Sequence, residues 1–178
     1  MAHIDTSDII RGAIWIRPTG DALDNIQKVI RSLHKRGGGP QFHPHLSLLS
    51  GMETNQASAE LKLKKLALRL KPFTVRLGRI DWRREYFRCL FATAELSAEL
   101  AAAQRDAYDV FEMKPAPPFE PLLSLLYGNI DEALKQELAA QAGGSLDMIF
   151  EVRAVHLVDA TDDVPVTKWR TLSEHALG

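Results

Sequence analysis

The sequence predicts a mixed α+β fold, with strand–helix units in each half of the chain and neighbouring strands running antiparallel. Three observations predict it. Short β-branched and aromatic runs alternate with stretches of helical period. The second half repeats the order of the first. A ten-residue stretch also occurs twice, as FHPHLSLLSG from Phe42 to Gly51 and as FEPLLSLLYG from Phe119 to Gly128, identical at seven of ten positions.

The elements follow in order. GAIWIR (Gly12 to Arg17) is a strand that Pro18 ends. Asp21 is the expected N-cap of a helix in which Leu23, Ile26, Val29, Ile30 and Leu33 recur on one face, and the glycines of RGGGP stop it. HLSLLS is a strand and ASAELKLKKLALRL a second amphipathic helix. FTVRLGRID and YFRCLFATAE alternate as two strands around WRRE, a pairing that would make a hairpin without the usual glycine turn. SAELAAAQRDAYDVFE is a helix with Ser97 as its cap, and the prolines of MKPAPPFEP forbid its continuation. LLSLLYG is a strand, and DEALKQELAAQ a helix that opens on favourable acids and ends at Gly143 and Gly144. LDMIFEVRAVHLVDA and VTKWRTLSEHAL close the chain as two further strands joined by TDDVP.

Size and composition bound the function. With 178 residues, 46% apolar and 25% charged, the chain suits one domain or two small lobes sharing a core. A formal net charge of −1 gives no global positive field toward nucleic acid or anionic membrane, so any bound anion needs a local set of donors. Cys89 is the only cysteine, which excludes an internal disulfide and a multi-cysteine metal site. MAHIDTSDII carries no basic, apolar leader and no apolar run reaches membrane-spanning length, so a cytoplasmic location is expected. Nothing marks an oligomer interface, and a monomer is expected.

The repeat carries the chemistry. The copies lie 77 residues apart, measured from His45 to Leu122, too long a period for a solenoid and suited to a duplicated lobe. Strand alternation puts His43, His45 and Ser47 on one side of the first copy, with Leu46 and Leu48 on the other. In the second copy Leu122 and Ser124 share a side. Either copy alone reads well as a buried strand with a hydroxyl tucked into the sheet. Packing does not ask for the same serine, proline and glycine twice in register.

A histidine–apolar–hydroxyl–apolar pattern, twice about eighty residues apart, resembles the two-histidine phosphoesterases. Within that superfamily, GPQFHPHLSLLSG and PFEPLLSLLYG are similar to the plant and yeast cyclic phosphodiesterases, whose second motif typically reads P-H-L-S-L-L-Y. AIWIRPTGD, YFRCLF and VTKWRTLSEHAL resemble that family's opening, aromatic-x-Cys and closing Trp-containing strands, so the likeness covers nearly the whole chain. It implies one bilobal domain over residues 1–178, with two antiparallel sheets lining a central cleft, helices packed outside, and a histidine and a hydroxyl from each lobe. It implies a small-molecule cyclic phosphate as substrate: ADP-ribose 1'',2''-cyclic phosphate or a nucleoside 2',3'-cyclic phosphate. Relatives act on RNA 3' ends, and neither metal nor cofactor is implied.

Such chemistry can be rebuilt from residue types. In-line attack of water on a cyclic phosphodiester needs a base on the water and an acid on the leaving oxygen, and two imidazoles can divide those roles near neutral pH. Ser47 and Ser124 would donate to the non-bridging oxygens. Tyr127 and Trp15 are candidates to stack on or hydrogen-bond to the nucleotide. Leu122 stands where the family has its second histidine, and leucine can neither give nor take a proton. Three explanations stand: an engineered change that traps substrate or product, a natural one that leaves a binding protein or a much slower enzyme, or the substitution of another group for the histidine. His43, the nearest stand-in, lies on the wrong copy.

Tyr86 and Arg88 share one strand face and become substrate contacts if that face lines the cleft, with Phe87, Cys89 and Phe91 turned to the core. The glycines of RGGGP read first as turn chemistry, and only second as an anion cradle. Lys62, Lys64, Lys65, Arg69 and Lys71 read as a solvated face unless they rim the cleft. His3, His34, His156 and His175 read as surface or sheet residues, and no zinc motif is present.

Overall fold

The computed structural model describes residues 8–115 and 118–178. His3 and the middle of the proline-rich connection therefore lie outside the described residues. The chain runs β1 (Ile9–Ile16), α1 (Gly20–Gly37), β2 (Leu46–Asn55), α2 (Gln56–Arg69), β3 (Phe73–Asp81), β4 (Leu90–Ala94), α3 (Ala98–Val110), β5 (Leu122–Leu126), α4 (Glu132–Gln141), β6 (Ser145–Val152), β7 (Ala154–Asp159) and β8 (Arg170–Ala176). Two antiparallel four-stranded sheets result, in the orders β2-β1-β7-β8 and β5-β4-β3-β6. The α+β fold with two antiparallel sheets is as the sequence predicts.

The division of the chain between the sheets is not. LDMIFEVRAVHLVDA is two strands, with Arg153 as the only residue between β6 in the second sheet and β7 in the first. Each sheet thus draws strands from both halves of the sequence. Apolar residues recur along the whole stretch without Gly or Pro, so no turn signal marks the change of sheet. Two smaller differences are local. The N-cap of α1 is Thr19 and Asp21 falls in the first turn, where it still complements the helix dipole. YFRCLFATAE begins as a single 3-10 turn at Tyr86–Arg88, and only Leu90–Ala94 is strand. Ser97 caps α3 as expected, its hydroxyl accepting from the Leu100 N–H at 3.1 Å.

The repeated stretches become β2 and β5, each at the edge of its sheet, and these two edges touch. Their backing is exchanged: α1 packs on β5, and α3 packs on β2. The RGGGP segment lies at that crossing. Gly39 has φ of +80°, and a Cβ there would run into the Tyr127 carbonyl just after β5. Gly37 and Gly39 serve close packing between the lobes, Gly38 caps α1 at φ +70°, and none of the three lines the cleft described next. One buried apolar cluster runs through both lobes, from Ile14, Leu46 and Leu63 to Leu77, Leu100 and Leu125.

Candidate active site

A cavity of about 830 Å³ opens where the two sheets meet. Trp15 from β1, His45 and Ser47 from the first copy, and Leu122, Ser124 and Tyr127 from the second all line it. The pleat brings them there. Trp15 is the cross-strand partner of Ser47, and the interposed Leu46 and Leu48 turn into the core.

His45 is the most constrained of them. It is 8% exposed, and its ring stacks on Trp15 with centroids 3.4 Å apart and planes 8° from parallel. Its Nδ1 lies 2.8 Å from the His43 carbonyl oxygen. A carbonyl only accepts, so Nδ1 carries the proton and Nε2 keeps a free lone pair. Burial pulls the imidazole pKa down to about 4; the His43 carbonyl opposes that shift and the Arg17 charge adds to it. His45 is therefore neutral near pH 7, and its Nε2 is the ring atom left to accept a proton. His43 itself turns away: its side chain is exposed and lines a different cavity, so it supplies a carbonyl to His45 and nothing to the cleft.

The second copy presents a different chemistry. Leu122, half-buried, sits opposite Thr93 of β4. Ser124 is 7% exposed and its hydroxyl donates to the Phe87 carbonyl at 3.1 Å. Tyr127 is buried against Phe42, ring centroids 4.0 Å apart, and burial raises its phenol above the usual range despite a hydrogen bond with Ser124. Neither Tyr127 nor Trp15 offers a bare ring. Trp15 is covered by His45 and by the Arg17 guanidinium, 5.3 Å from the ring centroid.

Tyr86 does not line the cavity. It packs beside Tyr127, 6.3 Å between centroids, whereas Phe87 and Arg88 face the opening. The 3-10 turn at 86–88 is the cause, since it cancels the alternation that put Phe87 in the core. Sequence reasoning also missed Trp169, which closes the cavity with its ring stacked on Phe87 at 5.6 Å and its indole N–H donating to Thr161 O at 3.0 Å. Phe119, Tyr108 and the buried Gln104 also line the cavity. The signal available for Trp169 was a third tryptophan in a closing strand.

None of Lys62, Lys64, Lys65, Arg69 and Lys71 lines the cavity; Lys62 pairs with Glu112 at 2.7 Å and Arg69 with Asp109. Cys89 is buried and its thiol is pushed up by that burial, which leaves it a poor nucleophile. Among the described residues no group of three His, Cys, Asp or Glu is placed to hold a metal ion. No helix among them is long and apolar enough to cross a membrane.

Comparison with known proteins bears on the family and the fold. A cyclic phosphodiesterase of Arabidopsis thaliana is 25% identical over 166 residues, covering 90% of this chain and 92% of that protein. Among solved structures, TT0787 of Thermus thermophilus superposes with a TM-score of 0.64 at 17% identity, over 94% of this chain and 98% of that one. LigT of E. coli, complexed with phosphate, gives 0.62 at 17% identity over 96% and 98%. At that identity the two structures speak for the fold. The family model of the 2'-5' RNA ligase superfamily matches residues 19–164, and the chain belongs to that superfamily of two-histidine phosphoesterases.

Proposed function

We propose that the cleft binds a small cyclic phosphate, a nucleoside 2',3'-cyclic phosphate or ADP-ribose 1'',2''-cyclic phosphate, as a metal-free phosphodiesterase site short of one proton carrier. The observation that carries this reading is the meeting of both repeat copies in one cavity, with His45 and Ser47 from the first copy and Leu122 and Ser124 from the second, on the facing edges of the two sheets. Neutral His45, with Nε2 free, takes the general-base role on water. Ser47 and Ser124 donate to the phosphate oxygens. The opposite position, where an acid must protonate the leaving oxygen, holds an alkyl group. Such a loss typically costs about 10² to 10⁴ in rate, or roughly 3 to 5 kcal/mol of transition-state stabilisation.

Leu122 equally favours a second reading, a binding module that holds a cyclic phosphate or an RNA 3' end without turning it over. The basic run on α2 lends no support to the RNA form, because it lies away from the cavity. The test is hydrolysis of both cyclic phosphates by this chain and by Leu122→His. A gain of about a hundredfold or more in the variant is expected. No turnover by either protein, with tight binding of the cyclic phosphate retained, would favour the binding module.

A further inference from the structure

A second cavity, of about 470 Å³, adjoins the cleft through Trp15 and Trp169, which line both. Its walls differ sharply in charge. The cleft mixes Arg11 and Arg88 with Glu53, Glu120, Asp162 and Asp163. The second cavity is lined by Arg17, Arg31 and Arg170, with His43, Gln41 and Thr171, and by no carboxylate among the described residues. In a chain of net charge −1 that is no consequence of composition.

Arg17 is the anomaly. Its Nε is buried without a hydrogen-bond partner among the described residues, while its Nη2 donates to the Thr171 hydroxyl at 2.8 Å. Burial pushes its guanidinium below the usual range, against the pull of Glu174. Glu174 lies instead at 3.5 Å from His156 and makes no ion pair with Arg17. A part-buried guanidinium without a carboxylate is costly, and a buried donor left unpaired calls for a partner. Arg31 likewise has no ion-pair partner among the described residues, and Arg170 shares only its Nε with Asp159, at 3.4 Å. Three guanidiniums lining one recess match the several oxygens of a phosphate group.

We infer that this recess behind Trp15 is a second anion site that takes a phosphate group, either a further phosphate of the molecule held in the cleft or a free phosphate ion. The site stands on its own arginines, so inorganic phosphate binds there whether or not the cleft takes a cyclic phosphate.

The test is an NMR titration with inorganic phosphate at constant pH, read on the His43 imidazole, which lines this recess and not the cleft. A saturable shift is expected in the native chain and in Ser47→Ala. In Arg17→Gln, and independently in Arg31→Gln combined with Arg170→Gln, the dissociation constant should rise about tenfold or more. The double variant guards the result, since Arg17 also covers Trp15 while the other two arginines are exposed. Dissociation constants unchanged in both arginine variants, or a shift abolished by Ser47→Ala, would overturn the inference. A second titration separates the sources, using a nucleoside 2',3'-cyclic phosphate with and without a 5'-phosphate. Tighter binding of the 5'-phosphorylated form that disappears in the double variant identifies the substrate's own phosphate; equal binding of both forms, beside the inorganic phosphate result, identifies a free ion.

Discussion

The two copies of the repeat differ less in their surroundings than in their chemistry. In the first, Ser47 pairs across the strands with Trp15, and Arg17 lies 5.3 Å over that ring. In the second, Ser124 pairs with Phe91, and Arg83 lies 5.4 Å over that one. An aromatic, a covering arginine and a serine are present on both sides. What the second copy lacks is the imidazole itself and a backbone carbonyl bound to it in the manner of His43. Leu122 thus stands, in a lobe whose architecture is otherwise matched, where the first copy carries His45, which teaches that the packing of the repeat does not depend on the imidazole.

Whether the two copies act as a pair is open to a direct break. If Leu122→His restores turnover, the restored activity must depend on the first copy, because base and acid act on opposite sides of phosphorus. Adding His45→Ala to that variant should lower kcat by about 10² to 10⁴ while the cyclic phosphate still binds. A steady-state comparison of the single and double variants checks it. Activity that survives the loss of His45 would mean that the two copies do not act as a pair.

Acid should also tell the two sheets apart. His45, directly before β2, and His156 in β7 both stand on the side of the first sheet, each with a pKa pulled down to about 4, chiefly by burial. No histidine lies in the strands of the second. An imidazole whose folded pKa lies below its unfolded value of 6.5 costs nothing above pH 6.5. Below that, the unfolded chain takes up protons that the folded chain refuses, so stability falls until the pH reaches about 4. His45 alone accounts for about 3 kcal/mol of such loss. Denaturant unfolding at several pH values should show it, and His156→Gln should remove the share that His156 adds. Amides of β1, β2, β7 and β8 should lose exchange protection first. A stability flat across this window would show that both rings are solvated.

How far these features were legible in the sequence depended on whether a local pattern carried them. The repeat gathered His45, Ser47, Leu122 and Ser124 because strand period and register alone put them on one side of each strand. The exchange of strands at Arg153 was illegible, since β6 and β7 form an unbroken strand-like run with no turn residue. Phe87 was misplaced, and Tyr86 with it, because a single 3-10 turn resets the alternation. Even the repeat overstates likeness in one place: Gly51 closes the first copy at φ +74°, while Gly128 closes the second outside the left-handed region. The same letter serves a different backbone. The Arg17 recess left no trace in the sequence because its arginines come from the end of β1, from α1 and from β8, and only folding collects them.

The serines offer the smallest and most discriminating comparison. They occupy equivalent places, yet Ser124 already commits its proton to the Phe87 carbonyl, whereas the Ser47 hydroxyl makes no hydrogen bond among the described residues. To donate to a phosphate oxygen, Ser124 must first give up that bond and leave the carbonyl to another donor; Ser47 gives up nothing. A hydrogen bond to a charged acceptor is worth about 1.5 to 3 kcal/mol, and an ordinary one about 1. Ser47→Ala should therefore weaken cyclic phosphate binding by about tenfold or more, and Ser124→Ala by only a few-fold, because the cost of the lost phosphate bond is offset by the bond that no longer has to be broken. Titration calorimetry of the two variants beside the native chain measures the difference. Equal losses would mean that the Ser124 hydroxyl turns to the phosphate without penalty, and that the two copies grip the phosphate symmetrically after all.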